Sequence, residues 1–370
     1  MYSTQHSLIR LIEEWKAALD NGKCVGAVLM DLSKAFDCLP HDLLIAKLVA
    51  YGLDRDSACL VADYLRGRRQ RVRLSQHVSD WLNLIKGVPQ GSILGPLLFN
   101  LFINDLMFIL STGSLVNFAD DNTVGAVADT TEQVASCLES ESQKCIKWFE
   151  DNQMSANAEK FHCIIPCAPA DNTVNSVTIN NTTIETEPTV LLLGVEIDDK
   201  LDFSPHLREL TRRSAFKLYA FRRIASNLNL NVKKVILNSF ILSQFQYCPL
   251  VWFFCKKSCI NKLDKIQERA LRIVYNDFNA NYDVLLKRAN CPDVQTRLRR
   301  LLMVEIYKTL HDLNPVYMKN IFTLKESNYT LGAILTYSFN KAVFCNKKIL
   351  SRYGGLGSGS REFPKLREGT

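Results

Sequence analysis

The sequence predicts an α+β fold in which a mixed sheet-and-helix unit precedes a helical one. Three observations predict it. Cys24 to Leu32 is nearly continuous apolar sequence, the mark of a strand buried on both faces. Short strand-like segments around 115–127, 161–166, 176–184 and 190–197 intermingle with helical periodicity up to about residue 200. Beyond about residue 203 the pattern is helical, over 205–228, 231–247, 258–277 and 294–313. No internal repeat is present.

Residues 4–20 read as an amphipathic helix with Leu8, Leu11, Ile12, Trp15 and Leu19 on one face, ended by Asn21-Gly22. Asp31 closes the apolar strand. A carboxylate there is costly inside a core, so it lies at a mouth or meets a cation. Pro40 opens a helix over Asp42–Tyr51, with Leu43, Leu44, Ala46, Lys47 and Leu48 on its face. A second helix, Ser57–Leu65, leads into Arg66-Gly67-Arg68-Arg69-Gln70-Arg71, and Val72 to Leu84 alternates like a hairpin. Lys86-Gly87-Val88-Pro89-Gln90-Gly91-Ser92 is a glycine-rich loop feeding an apolar helix, Pro96 to Leu110, which Asn104 and Asp105 interrupt. Its glycines let backbone approach a ligand, but the Gly-Lys-Ser/Thr ending of a P-loop is missing. Asp129-Thr130-Thr131-Glu132 has capping-box spacing before a helix through Val134, Leu138, Ile146 and Phe149. Then come a strand over Phe161–Pro166, a hairpin turning at Asn180-Asn181, and one apolar strand over Val190–Ile197. The tail from about residue 350, with Gly-Gly-Leu-Gly-Ser-Gly-Ser, is expected to be loose.

At 370 residues the chain is long enough for two or three units with cores of their own. The first ten residues lack the apolar run of a signal peptide. The most apolar windows, Ile93–Ile103 and Phe240–Cys255, are interrupted by polar residues and proline. A soluble, intracellular protein without a membrane partner is expected. None of the twelve cysteines forms a Cys-x-x-Cys pair; Cys163/Cys167, beside His162, and Cys255/Cys259 lack a second half-site, so free thiols are expected rather than zinc. The formal charge of +7 is uneven: residues 205–275 hold fourteen Lys/Arg against Glu209, Asp264 and Glu268, leaving the remainder at −4. Such a block suggests a polyanionic partner.

Asn117-Phe118-Ala119-Asp120-Asp121-Asn122 sits between apolar residues on both sides, which predicts two short strands with the acidic pair in their turn. Adjacent carboxylates in an apolar turn repel unless a cation or proton offsets them. With Asp31 about ninety residues upstream, the three suit a two-metal site for in-line phosphoryl transfer. Oxygen-only ligation favours Mg²⁺ or Mn²⁺. A phosphatase or a nuclease could use the same parts, so the residues alone lead only to metal-assisted phosphoryl transfer on a polyanion.

Asp31-Leu-Ser-Lys-Ala-Phe-Asp, Gly87-Val-Pro-Gln-Gly-Ser-Ile-Leu-Gly-Pro, Phe118-Ala-Asp-Asp, Asn157-Ala-Glu-Lys and Leu193-Gly-Val occur in that order. This string resembles the reverse transcriptases of non-long-terminal-repeat retrotransposons, particularly jockey-like elements. The resemblance implies a right-hand polymerase palm, a ferredoxin-like antiparallel sheet with helices and a remnant of the fingers over 1–200. A basic, thumb-like helical region would occupy 201–325 and a poorly structured tail 326–370. It implies that Asp31, Asp120 and Asp121 bind Mg²⁺ (or Mn²⁺), and that Phe36 is a steric gate against the ribose 2′-hydroxyl. Gln90 and Gly91 would line the nucleotide and template path, and Lys160 would lie near the triphosphate as a proton donor to pyrophosphate. The 190–197 strand would belong to a primer grip. Implied partners are an RNA template, a DNA primer and dNTPs, in cytoplasm and nucleus.

The family's fingers and endonuclease would precede Tyr2-Ser-Thr-Gln-His, so the resemblance reads the chain as a truncated copy. Two expectations follow: an RNA-directed DNA polymerase, or a catalytically idle nucleic-acid-binding remnant. A metal phosphohydrolase is the weakest reading, because its histidine ligands are missing.

Overall fold

Hydrophobic periodicity first becomes structure at the N-terminal helix. The computed structural model describes residues 3–32, 34–169, 173–325 and 336–339. Helix α1, Thr4–Asp20, starts where the Ser3 side chain accepts the His6 amide and buries Leu8, Ile9, Leu11, Ile12 and Trp15. Gly22, at φ +73°, releases the chain into strand β1, Cys24–Met30, buried at all seven positions. Helix α2, His41–Ala50, follows with Pro40 just outside its first turn. Helix α3, Arg55–Leu65, begins two residues before the expected Ser57, because the Asp54 carboxylate caps it by accepting the Ser57 amide.

The alternation after Arg68 produces a ribbon of four two-residue strands. β2 (Arg69–Gln70) pairs with β5 (Leu82–Asn83), and β3 (Arg73–Leu74) pairs with β4 (His77–Val78). Helix α4, Leu94–Ile103, passes into a 3₁₀ turn at Asn104–Phe108, as the two polar residues foretold. Asp105 is there for a partner on α2: Lys47 Nζ donates to its carboxylate at 2.8 Å and lies 4.3 and 4.4 Å from the ring centroids of Phe102 and Trp148. Burial pushes the Lys47 ammonium below its usual pKa, and Asp105 pulls the other way.

β6, Ser114–Phe118, and β7, Asp121–Ala128, form the acidic hairpin, and α5, Thr131–Asp151, follows. The cap of α5 sits one residue later than expected. Thr130 accepts the Gln133 amide, while Gln133 reaches back to the Asp129 amide. β8 is His162–Ile164, shorter than the expected Phe161–Pro166. These strands make one antiparallel sheet in the order β6-β7-β1-β8. With helices between β1 and β6 and α5 between β7 and β8, this is the ferredoxin-like β-α-β-β-α-β arrangement.

Two further hairpins follow. β9 (Ser176–Ile179) and β10 (Thr182–Glu185) turn at Asn180 and Asn181, both at positive φ. The expected single strand over 190–197 is instead a hairpin, β11 (Thr189–Leu192) and β12 (Val195–Asp198). Leu193 (φ +47°) and Gly194 (φ +76°) form its two-residue loop, hidden in the sequence by the leucine run.

The C-terminal region packs α6 (Ser204–Ile224), α7 (Leu230–Ile236), α8 (Lys257–Tyr275), α9 (Tyr282–Ala289) and α10 (Val294–Leu310). The helix expected over 231–247 is broken: after α7 a π turn at Leu237–Ile241 and a 3₁₀ turn at Leu242–Gln246 carry the chain. Helix α9, absent from the expectations, spans only eight residues between the cap Asn281 and left-handed Asn290. A ladder of β13 (Phe322–Lys325) and β14 (Thr336–Phe339) ends the described chain; the rest of the expected tail lies outside the described residues.

Strand β1 divides two cores. Val25, Ala27 and Leu29 join α1 and the C-terminal helices, whereas Val28 and Met30 join α2, α4 and α5. Across the first core, His6 of α1 meets Glu305 of α10 at 2.5 Å, with Asn314 donating to the same carboxylate oxygen. Burial pushes the Cys145, Cys163 and Cys255 thiols up to about 12. Among the described residues no helix is long and apolar enough to cross a membrane.

Gly26 in β1 lets α5 pack close to the sheet: a Cβ there would sit 2.5 Å from Val134 Cγ1 and 2.9 Å from Leu138 Cδ1. Gly26→Val is expected to cost about 1–3 kcal/mol by overpacking, read as a lower urea midpoint. An unchanged midpoint would contradict this close contact.

Candidate active site

The site begins with strand register. Residues of β1 and β7 pair from Cys24↔Ala128 to Met30↔Asn122, so Asp31 and Asp121 occupy the next facing positions. Side chains opposite one another in an antiparallel ladder share a face. The strand-end aspartate thus meets the hairpin by geometry alone. Phe118 pairs with Asp121, leaving Ala119 and Asp120 as a two-residue loop in which Ala119 takes φ +54°. Asn122, buried, donates from Nδ2 to the Asp120 carbonyl at 2.8 Å and holds the loop. The hairpin is anchored at its other end by buried Glu141 of α5, which accepts the Ser111 and Thr112 amides at 3.1 and 3.2 Å. Burial works against ionised Glu141, but Lys144 and these N–H donors hold its carboxyl below the usual range. Neither Asn122 nor Glu141 had been singled out from sequence. Asn122 was visible as the residue after the acidic pair; Glu141 carried no signal.

A cleft of about 470 Å³ opens at this end of the sheet, lined by Asp31, Asp121, Glu159, Lys160, His162 and Leu192 among others. Lys160 reaches it through local chemistry. Asn157 Oδ1 accepts the Glu159 amide at 3.1 Å, a 3₁₀ turn follows, and Ala158 is buried beneath. Sequence reasoning noted His162 only beside the Cys163/Cys167 pair; it opens β8 two residues after Lys160 and lines the same cleft. Its Nδ1 lies 2.6 Å from Glu187 Oε1.

Phe36, Gln90 and Gly91 form a second group. Phe36 lies on a 3₁₀ turn at Ala35–Asp37, half-buried, with its ring stacked on Phe99 at 4.5 Å. The glycine-rich loop is zipped to that turn: Val88 N–H donates to the Phe36 carbonyl at 2.8 Å, and Gln90 Nε2 donates to Asp37 Oδ1 at 3.0 Å. Gly87, at φ +85°, is required for this approach, since a Cβ would lie 2.7 Å from the Asp37 carbonyl oxygen. Gly91, at φ +78°, has open space around its Cα. The structure therefore brings Asp31, Asp121 and Lys160 to one cleft. It joins Phe36 to the Gln90 loop five residues beyond Asp31, outside that cleft's lining.

The Asp121 carboxyl is held above its usual pKa, first by burial and then by the charges of Asp120 and Asp31. That mutual repulsion places all three in one electrostatic neighbourhood. Among the described residues, no three His, Cys, Asp or Glu side chains close into a metal-sized cage. The donor chemistry nevertheless fits a hard divalent cation, which would relieve the repulsion and has oxygen donors available.

A ferredoxin-like antiparallel sheet with an acidic hairpin facing a strand-end aspartate, followed by a helical region, is the α+β arrangement expected of a polymerase palm. Residues 2–197 match the family described as reverse transcriptase (RNA-dependent DNA polymerase), and the chain belongs to that family. The probable RNA-directed DNA polymerase from transposon BS of Drosophila melanogaster is 28% identical over 296 residues, covering 74% of this chain and 31% of that one. The RNA-directed DNA polymerase from mobile element jockey of the same species is 24% identical over 281 residues, covering 73% and 30%. The chain thus spans about a third of the length of these curated relatives. Among solved structures, the Candida albicans telomerase in complex with the TWJ fragment of telomeric RNA aligns with a TM-score of 0.41 at 11% identity, over 79% of this chain and 56% of that one.

The Asp121 shift has a definite sign. A raised folded pKa means that, without metal, the stability contributed by protonated Asp121 is lost as pH rises above the ordinary carboxylate range and through the folded pKa. In EDTA, Asp121→Asn is expected to melt above wild type at pH 7 and with it near about pH 3, where carboxylates of ordinary pKa are protonated. Asp120→Asn should lower the Asp121 pKa in a ¹³C-carboxyl NMR titration; an unmoved titration would separate the two charges.

Proposed function

We propose that this chain is an RNA-directed DNA polymerase of a non-LTR retrotransposon, adding dNTPs to a primer 3′-hydroxyl on an RNA template by two-metal nucleotidyl transfer. The observation that carries the reading is the β1–β7 register, which sets Asp31 and Asp121 at facing positions beside a cleft that Lys160 also lines. Asp31, Asp120 and Asp121 would hold the Mg²⁺ or Mn²⁺ ions. When bound, these supply Lewis acidity at the primer 3′-hydroxyl and at the leaving pyrophosphate. The 3′-oxygen, giving up its proton to solvent water, bonds to the α-phosphorus as the bond to pyrophosphate breaks, and Lys160 contributes charge and a proton to the departing group. Phe36, wedged on Phe99, offers a ring edge that crowds a ribose 2′-hydroxyl. Gln90, tethered to Asp37, and Gly91, with free space at its Cα, line the path of the nucleotide and template.

In this reading the palm spans about 1–200 and the thumb-like region 201–325. The basic residues of α6 to α8 hold the duplex by its phosphates. The β11–β12 hairpin forms the primer grip; Leu191 and Leu192 line the cleft, and its Leu193 carbonyl accepts the Tyr247 hydroxyl at 2.6 Å.

Primer extension on an RNA template with Mg²⁺ tests the reading. Asp120→Ala is expected to reduce incorporation by at least about 10³-fold, since stabilisation of transition-state charge by the ions is worth several kcal/mol. Equal activity in that variant would sink the proposal. Phe36→Val is expected to raise rNTP incorporation relative to dNTP by about tenfold or more; unchanged selectivity would remove the gate assignment.

A further inference from the structure

The ribbon β2–β5 is the part of the molecule with no evident work to do inside the fold. Every residue from 69 to 83 is exposed, so the ribbon buries nothing against either core. A two-stranded ribbon of this kind is marginally stable unless something covers it. Its charge is one-sided: residues 66–86 carry five arginines and a lysine against the single carboxylate of Asp80. Among the described residues none of those arginines makes an ion pair with a carboxylate. Two of them flank an exposed indole: the Arg71 guanidinium lies 4.5 Å and the Arg69 guanidinium 5.7 Å from the Trp81 ring centroid. Trp81 itself is 52% exposed. The base of the ribbon runs into the Gln90 loop. Leu84 N–H donates to the Arg68 carbonyl at 2.8 Å, and Lys86 leads directly into Gly87 and the loop zipped to the Phe36 turn.

We propose that this ribbon is a clasp for single-stranded nucleic acid, holding the unpaired template strand beside the candidate active site. The inference rests on the polymerase reading for the identity of the strand. Flat guanidinium and indole groups stack on bases, but only on bases whose faces are free, which selects a single strand over a duplex. The same arginines pair with phosphates without reading sequence. A duplex partner would leave Trp81 without a role, and an acidic protein partner would leave the planar Arg–Trp column unused. The exposed apolar side chains Val72, Leu74 and Leu82 supply further surface for sugars and bases along the ribbon.

The test is fluorescence anisotropy of the full chain with labelled primer–template duplexes, blunt or carrying 5′ template overhangs of increasing length. Wild type is expected to bind overhang-bearing duplexes about tenfold tighter than blunt ones. Trp81→Ala should remove about five- to tenfold of that preference, and Trp81→Phe should restore most of it. Arg69→Ala with Arg71→Ala should flatten the dependence of log affinity on log salt by about 1.4, the share of two single-strand phosphate contacts. Blunt-duplex affinity and the thermal melt should stay as in wild type for each variant. No overhang preference in wild type, or a preference that survives these substitutions, overturns the clasp and returns the ribbon to a protein partner. Trp81-dependent overhang binding without primer extension would leave the clasp standing while the polymerase reading fails; extension without overhang preference would do the reverse.

Discussion

The antiparallel ladder between β1 and β7 is the constraint from which the site follows. Its register is locked because each face of β1 serves a different core. Sliding by one residue would turn Val25, Ala27 and Leu29 toward α5 and Val28 and Met30 toward α1 and the C-terminal helices. It would also remove Gly26 from the one place where Val134 leaves no room for a side chain. Burial of each large apolar side chain is worth about 1.5–3 kcal/mol, so misplacing several exceeds what a domain can tolerate. The facing of Asp31 and Asp121 is a by-product of that packing. Two carboxylates that repel are held near one another by hydrophobic residues several positions away.

What the packing enforces, local chemistry has to sustain. Ala119 at φ +54° occupies a conformation that glycine adopts more cheaply, in a loop that also carries a charge pair. Asn122 offsets part of this by bonding to the Asp120 carbonyl, and Glu141 ties down the chain just before β6. The Asp121 carboxyl records the residual cost in its raised pKa. A site built this way is an acceptor of positive charge before any substrate arrives.

Much of this was legible in the sequence wherever a local rule decides the outcome. The unbroken apolar run predicted β1, and Asn180-Asn181 predicted a turn of two positive-φ residues. Asp31 was legible as the residue closing an apolar strand, and Asp120-Asp121 as the turn end of a hairpin between two apolar runs. What stayed hidden depends on contacts between distant segments. Leu193 occupies a left-handed turn that its side chain disfavours, with the neighbouring Tyr247 hydroxyl bonded to its carbonyl. The π turn after α7 keeps the apolar spacing of a helix while giving up the regular ladder, so periodicity alone cannot see it. Asp105 read as an interruption of a helix; only the fold shows Lys47 waiting across from it. Glu141 read as an ordinary polar residue of a long helix, because its donors lie thirty residues upstream.

The same dependence on distant contacts binds the cleft to the C-terminal helices. The β11–β12 hairpin edges the cleft with Leu191 and Leu192, and its turn is held by Tyr247, from the segment after the broken helix. A Cβ on Gly194 would lie 3.1 Å from that tyrosine ring, so the hairpin tip and the ring are fitted to each other. The Tyr247 phenol is raised chiefly by burial, and the charge of Asp121 adds to the shift, so it feels the acidic hairpin as well. His6 and Glu305 pin α1 to α10 on the other side of the same core. A displacement of the helical region would therefore carry one wall of the cleft with it. The strand that positions Asp31 would stay behind, held by the second core under α5. The acidic hairpin and the β11–β12 hairpin thus draw on different cores, and the width of the cleft between them is set by how those cores meet across β1.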